Sequence, residues 1–117
     1  MNKLIRGKNM NEYDIIIIGP GPGGLTAGIY AGRQGTKNLI IDRDLAGGLG
    51  REVPEMENYP GFVDGINGFE LGMQMKKGAE RFGVKTKLAE VKSVELDKNP
   101  KLIHTAKETF EAKTVIF

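Results

Sequence analysis

An apolar strand that runs into a spaced set of glycines is the feature that most constrains the fold of this chain. Between Tyr13 and Asp42 the sequence reads Y-D-I-I-I-I-G-P-G-P-G-G-L-T-A-G-I-Y-A-G-R-Q-G-T-K-N-L-I-I-D. Gly19 predicts a sharp turn off the strand that runs from Tyr13 to Ile18. Gly21 keeps the backbone open to a close neighbour, and Gly24 allows the next helix to pack closely on the strand. The pattern therefore predicts a strand, a tight turn and a helix in direct succession.

The helix after this turn is predicted from about Gly23 to Gln34. Gly28 lies one turn after Gly24 on the face toward the sheet, and Gly35 lies where the helix should end. The first backbone N–H groups of a helix have no partner within it, and they carry the positive end of its dipole. A diphosphate is therefore favoured at this helix N-terminus without any lysine.

A second buried parallel strand is predicted from Lys37 to Ile41, with Asp42 at its carboxyl end. A carboxylate at that place accepts hydrogen bonds from ribose hydroxyls and repels a 2′-phosphate. The strand, the glycines and the acid together favour a nucleotide site over a purely structural turn. The expected ligand is FAD or NAD rather than NADP.

The composition limits the remaining classes of function. The 117 residues suffice for one domain, which buries roughly two thirds of the surface that the unfolded chain exposes. There are no cysteines, which excludes disulfides, thiolate metal sites and a C-x-x-C redox pair within this sequence. A formal charge of +2 gives no case for nucleic-acid binding, and no apolar stretch is long enough to span a membrane. We expect a cytoplasmic protein with a flexible extension at residues 1–11.

A second informative segment runs from Asp42 to Phe62 and reads D-R-D-L-A-G-G-L-G-R-E-V-P-E-M-E-N-Y-P-G-F. The pair Gly47-Gly48 is a second stretch of backbone without Cβ atoms, and Glu57 to Phe62 combines an amide, an aromatic ring and a Pro-Gly turn. With these residues the chain resembles the N-terminal flavin segment of the thioredoxin reductase-like proteins. This low-molecular-weight class of FAD-dependent pyridine nucleotide-disulfide oxidoreductases shows G-x-G-P-x-G, then an acid, then G-G-Q, then E-N-Y/W-P-G-F.

The resemblance implies a Rossmann-like three-layer α/β fold, with a parallel sheet and a small antiparallel β-meander, and FAD as the cofactor. It places the pyrophosphate on the stretch from Gly19 to Gly24 and the adenosine ribose on Asp42. The flavin end would lie near the pair Gly47-Gly48 and Asn58, and the backbone near Val91 would contact adenine. The cofactor-binding candidates are Gly19, Pro20, Gly21, Pro22, Gly23, Gly24, Asp42, Arg43, Gly47, Gly48, Leu49, Asn58 and Val91. No catalytic residue and no metal ligand is predicted.

Two parts of the chain depart from the family pattern. Near the flavin ring, Leu49 stands in place of the family's glutamine, and small polar residues are replaced by Gly50, Arg51, Glu52 and Pro54. The apolar run Thr114 to Phe117 is similar to the strand before the family's A-T-G turn, after which the family continues into a nicotinamide domain with its C-x-x-C pair. We therefore expect residues 12–117 to form a truncated FAD domain, incomplete at its C-terminus, whose exposed sheet surface favours a homo-oligomer.

The rest of the chain is predicted to be scaffold. Asn67 to Phe82 predicts one amphipathic helix. A β-meander and a returning core strand are predicted at Val84 to Lys87, Glu90 to Leu96, Leu102 to Ala106 and Lys113 to Phe117. Turns are predicted at Asn99-Pro100 and Lys107-Glu108. His104 is expected to be an exposed strand residue without a catalytic or metal role, since the sequence shows no cysteine, serine or acidic partner pattern near it.

Three functional hypotheses stay open. The first is an FAD-binding module that holds FAD through its ADP moiety and has little activity. The second is a weak flavin-dependent NAD(P)H oxidoreductase, active alone or completed by self-association or by another chain. The third is a cofactor-free structural α/β fragment.

Overall fold

Six strands and two helices follow one another in the computed structural model, which describes residues 11–19, 21–43 and 54–117. The elements are β1 (Glu12–Ile18), α1 (Pro22–Arg33), β2 (Asn38–Asp42), α2 (Gly68–Arg81), β3 (Lys85–Leu88), β4 (Val91–Glu95), β5 (Lys101–Thr105) and β6 (Thr109–Ile116). Each lies within a few residues of its predicted position.

The strands form a single mixed sheet in the order β3-β2-β1-β6-β5-β4. Four of them, β3, β2, β1 and β6, pair in parallel, whereas β4, β5 and β6 pair antiparallel as a meander. The two sets meet at β6, which belongs to both. This topology confirms the predicted α/β class with a parallel sheet and a small meander.

The last strand is longer than the sequence pattern predicted. β6 runs over Thr109–Ile116, whereas only Lys113 to Phe117 was expected. Residues 109–112 of β6 pair with β5, where Phe110 lies opposite Ile103, and residues 111–116 pair with β1, where Val115 lies opposite Ile16. β6 is therefore one continuous strand that pairs with both β5 and β1. The local alternation of apolar and polar residues does not predict this.

Apolar side chains of β1 and β2 are buried on both faces of the sheet, because successive residues of a strand point to opposite sides. One core lies under the helices and comprises Ile17, Leu25, Ile40, Ala79 and Val84. The other lies under the meander and comprises Ile16, Leu39, Ile41, Ile103, Phe110 and Ala112. We call them the helix-face core and the meander-face core.

Glycines set how closely α1 approaches its neighbours. A Cβ on Gly28 would lie 3.1 Å from Cδ1 of Ile40, so this residue faces the sheet as predicted. A Cβ on Gly32 would lie only 2.9 Å from the backbone oxygen of Phe82, just after α2. The helix ends at Arg33, and Gly35 follows with φ of 79°, a conformation that favours glycine.

Candidate nucleotide-binding site

The turn after β1 brings the chain back over the carboxyl end of β2. Gly19 has φ of 73°, in the left-handed region, which confirms the predicted sharp turn. Its N–H donates to the carbonyl oxygen of Ile41 at 3.0 Å, and the N–H of Gly21 donates to the carbonyl oxygen of Gly19 at 2.9 Å. The turn is therefore held by β2, and it directs the start of α1 toward the end of the sheet.

The two helices differ at their N-termini. Asn67 caps α2 by accepting hydrogen bonds from the N–H groups of Phe69 and Glu70, and Glu70 adds an acid to the first turn. For α1 the structure gives Gly21 as the N-cap, without a side-chain cap among the described residues, and no acid stands in its first turn. Within the described residues, the N-terminus of α1 therefore suits an anion from outside the helix, because its dipole and its first N–H groups favour negative charge.

Space for such an anion exists beside the glycines. Cβ atoms built on Gly19, Gly21 or Gly23 would meet no other atom within 4 Å among the described residues. The backbone of Gly21, with φ of −73° and ψ of −170°, is a conformation that any residue can adopt. Gly21 therefore satisfies no conformational need of its own, and its missing side chain leaves the approach to the helix N-terminus open.

A cavity of about 410 Å³ lies at the carboxyl ends of β1 and β2. Its lining includes Gly19 from the turn, Asp42 and Arg43 from the end of β2, and Val91 from the start of β4. The Oδ2 atom of Asp42 is buried at this cavity, whereas Arg43 is exposed. We call this space the nucleotide cavity.

The link between β3 and β4 forms the far wall of the nucleotide cavity. The N–H of Ala89 donates to the carbonyl oxygen of Asp42 at 2.8 Å, which holds the link beside β2. Glu90 also lines the cavity, and its carboxylate lies 2.7 Å from Nζ of Lys92. Hydrogen bonding to Lys92 lowers the pKa of the Glu90 carboxyl below its usual value, and the charge of Arg43 acts in the same direction.

The structure unites some of the predicted site residues and separates others. Gly19, Asp42, Arg43 and Val91 line one cavity, and the glycine turn leads from it to α1. Asn58 is exposed and is not among the residues that line the nucleotide cavity. The predicted residues Pro20, Gly47, Gly48 and Leu49, and the departures Gly50, Arg51 and Glu52, lie outside the described residues.

Ala89 and Glu90 line the nucleotide cavity but were not among the predicted site residues, and the same is true of Ile18 and Ile41 at the strand ends. A sequence signal for Ala89 and Glu90 was present, since they directly precede Val91 in the chain. Their position next to Asp42 follows only from the parallel register of β3 on β2, in which Asp42 lies opposite Leu88.

His104 has polar partners that were not expected. Its Nε2 lies 2.6 Å from Oε2 of Glu95 on β4, and its Nδ1 lies 2.9 Å from Oγ1 of Thr109 on β6. The expectation that His104 lacks an acidic partner is therefore wrong, because strand pairing brings Glu95 to it. The hydrogen bond from His104 lowers the pKa of the Glu95 carboxyl. In the described part of the chain, no three His, Asp or Glu residues are grouped so that they could hold a metal ion.

A glycine turn between a parallel strand and a helix, with an acid at the end of the next strand, defines a Rossmann-type dinucleotide-binding fold. The chain is homologous to thioredoxin reductases. It is 42% identical over 104 residues to the thioredoxin reductase of Mycolicibacterium smegmatis, a match that covers 89% of this chain and 33% of that protein. No protein-family model matches the sequence.

Solved structures show the same likeness. A thioredoxin reductase from Gloeobacter violaceus superimposes with a TM-score of 0.88 at 27% identity, over 94% of this chain and 35% of that one. A ferredoxin-flavin thioredoxin reductase from Clostridium acetobutylicum superimposes with a TM-score of 0.75 at 30% identity, over 89% of this chain and 36% of that one. The chain thus spans about one third of the length of the relatives that it matches.

Neither helix of the described ranges is long and apolar enough to cross a membrane.

Proposed function

We propose that this chain is an FAD-binding module that holds FAD through its ADP moiety. The observation that carries the proposal is the N-terminus of α1, which has no side-chain cap in the described residues, opens beside Gly21 and lies next to a cavity that ends on Asp42. Likeness to a ferredoxin-flavin thioredoxin reductase supports a flavin nucleotide as the ligand.

Each described residue of the site has one role in this proposal. Backbone N–H groups at the start of α1 bind the pyrophosphate, because they point outward and the helix dipole favours negative charge there. The carboxylate of Asp42 accepts hydrogen bonds from the adenosine ribose and opposes a 2′-phosphate. The backbone at Val91 contacts the adenine edge, and the link at Ala89 and Glu90 closes the cavity on that side.

FAD supplies two-electron redox chemistry when it is bound. This chain's own residues bind and orient the adenosine half, and they keep water away from the buried carboxylate oxygen of Asp42. A thiol relay would need cysteines, of which this sequence has none. The proposal therefore ends at cofactor binding, and reductase activity, alone or with another chain, stays an untested alternative.

Other expectations from the sequence also remain predictions. They are the flexible extension at residues 1–11, the incomplete FAD domain at residues 12–117, the cytoplasmic location and the homo-oligomer. Large exposed apolar side chains, namely Tyr30, Leu88 and Phe117, support self-association.

Calorimetric titration of the purified chain with FAD, ADP and NADP tests the proposal. We expect FAD and ADP to bind with affinities within about tenfold of each other, since the adenosine diphosphate half carries most contacts. NADP should bind at least about tenfold more weakly, because its 2′-phosphate meets the carboxylate of Asp42. Failure of both FAD and ADP to bind would contradict the proposal.

The variant Gly21→Val separates a cofactor site from a structural turn. The backbone of Gly21 accommodates any residue and its Cβ position is open, so the melting temperature without ligand should stay close to that of the wild type. The valine side chain would occupy the approach of the pyrophosphate, so ADP affinity should fall at least about tenfold. A loss of stability with unchanged ADP affinity would favour the structural alternative.

A further inference from the structure

A second cavity lies on the other side of the β3–β4 link. Its volume is about 330 Å³, at the small end of the range of roughly 300–1,000 Å³ that is usual for ligand pockets. It is lined by residues 87–90 and 92 on one side and by residues 105–108, the turn between β5 and β6, on the other. We call it the link–turn cavity.

The turn side of this cavity is held firmly. The N–H and the Oγ1 hydroxyl of Thr105 both donate to the carbonyl oxygen of Glu108 at 2.9 Å, and the N–H of Glu108 donates back to that Oγ1 at 3.2 Å. Across the cavity, Nζ of Lys87 on β3 lies 3.1 Å from Oε2 of Glu108. The walls are thus positioned by hydrogen bonds and an ion pair before any ligand arrives.

The charges that line the link–turn cavity do not cancel. Three lysines face two glutamates, and both glutamates already have a lysine partner: Lys87 with Glu108, and Lys92 with Glu90. Lys107 makes no hydrogen bond or ion pair with the described part of the chain. One positive charge therefore remains for a ligand, in a cavity whose lining also includes Leu88, Ala89 and Ala106.

We propose that the link–turn cavity binds a small organic anion, a carboxylate or phosphate monoester on a compact apolar body, with Lys107 as its ionic partner. Ala89 and Glu90 line both this cavity and the nucleotide cavity. Because the N–H of Ala89 also donates to the carbonyl oxygen of Asp42, occupancy of one cavity alters the wall of the other. The site itself does not depend on FAD binding.

An NMR titration of the ¹⁵N-labelled 117-residue chain with phenyl phosphate tests this proposal. We expect saturable shifts centred on the amides of Ala89, Lys107 and Glu108, with smaller shifts at Asp42. Phenol, which lacks the charge, and inorganic phosphate, which lacks the apolar body, should each produce weaker shifts. Equal affinity for phenol and phenyl phosphate, or shifts confined to the glycine turn, would overturn the proposal.

Two lysine variants sharpen the test. Lys107→Gln should weaken phenyl phosphate binding by about fivefold, the effect of one exposed ion pair. Lys77→Gln, at an exposed position on α2 outside the cavity, is the matched control and should leave the affinity unchanged. Both substitutions are on the surface, so we expect both variants to fold, and their NMR spectra without ligand will show this directly. An equal effect of the two variants would mean that phenyl phosphate binds by general charge attraction, which would also overturn the proposal.

Discussion

At the residue scale, Asp14 joins β1 to the segments on both sides of it. Its Oδ2 accepts a hydrogen bond from the N–H of Lys37 at 2.8 Å, and its Oδ1 lies 3.4 Å from Nζ of Lys113. The hydrogen bond from Lys37 is the main cause that lowers the pKa of the Asp14 carboxyl. Because the pKa is lower in the folded state, the ionised carboxylate stabilises the fold at pH values above its unfolded pKa of about 3.9. This contribution is lost as the pH falls through the lower pKa of the folded state. We expect Asp14→Asn to reduce the free energy of unfolding by about 0.5 kcal/mol at pH 7, since the group is exposed and screened.

Urea unfolding at several pH values between 7 and 2 measures this effect. The difference between wild type and Asp14→Asn should be constant down to about pH 5 and should close toward pH 2. Asp64→Asn, at an exposed position outside the ion pairs of the described residues, is the control and should leave stability unchanged throughout. A difference that persists at pH 2 would show that the amide, not the lost charge, causes the change.

At the scale of elements, the packing of α1 against the end of α2 depends on Gly32. A Cβ there would lie 2.9 Å from the backbone oxygen of Phe82 and 3.0 Å from Cγ2 of Val84. Alanine favours a helix over glycine by about 1 kcal/mol, but overpacking costs about 1–3 kcal/mol. The added Cβ would contact backbone and a β-branched side chain, and neither can move easily to relieve the close contact. We therefore expect Gly32→Ala to lower stability by about 1 kcal/mol in thermal unfolding.

Gly78→Ala is the matched substitution on α2. Its Cβ would lie 3.5 Å from Cδ1 of Ile29, an ordinary contact, so only the gain in helix propensity remains. This variant should be more stable than the wild type by up to about 1 kcal/mol. If both alanine variants gained stability, the close approach at Gly32 would not limit the packing of the two helices.

At the scale of the whole molecule, one sheet carries both cores. β1 and β2 contribute side chains to both the helix-face core and the meander-face core, and β6 joins the parallel and antiparallel parts of the sheet. We therefore expect both faces to unfold in a single transition. Ile103→Val, a truncation in the meander-face core, should cost about 1 kcal/mol and shift the loss of helix signals as much as that of meander signals.

Thermal unfolding followed by NMR separates the two faces. Peak intensities from α2 and from β5 should fall together in the wild type and in Ile103→Val. Val63→Ala is the control, because the side chain of Val63 is 99% exposed and its truncation removes no buried contact. Helix signals that survive after the meander signals are lost would show that the two faces unfold separately.

Local rules of the chain explain why much of the fold was predictable. Gly19 and Gly35 stand at turns with positive φ, which only glycine adopts readily, so their positions mark the ends of β1 and α1. Asn67 caps α2 through groups two and three residues away, within the reach of sequence reading. The candidate site was predictable to the same extent, since Gly19 and Asp42 follow directly from the ends of apolar strands.

The features that could not be predicted depend on how strands distant in the sequence pair with each other. His104 meets Glu95 because β4 and β5 pair antiparallel, with His104 opposite Ser93 and Glu95 two residues further along β4. A shift of one residue would send these side chains to the opposite face. The length of β6 also depends on long-range pairing, because residues 109–112 pair with β5 and residues 111–116 pair with β1.

The sequence alone determined the glycine turn, the helix that starts at it and the acid at the end of β2, because steric limits and strand patterning act between near neighbours. Only the tertiary structure decided that Ala89 and Glu90 form a wall shared by two cavities and that Lys107 faces the second one. These residues come together because β3 pairs in parallel with β2 and β5 pairs antiparallel with β6. Neither register can be predicted from the local pattern of residues.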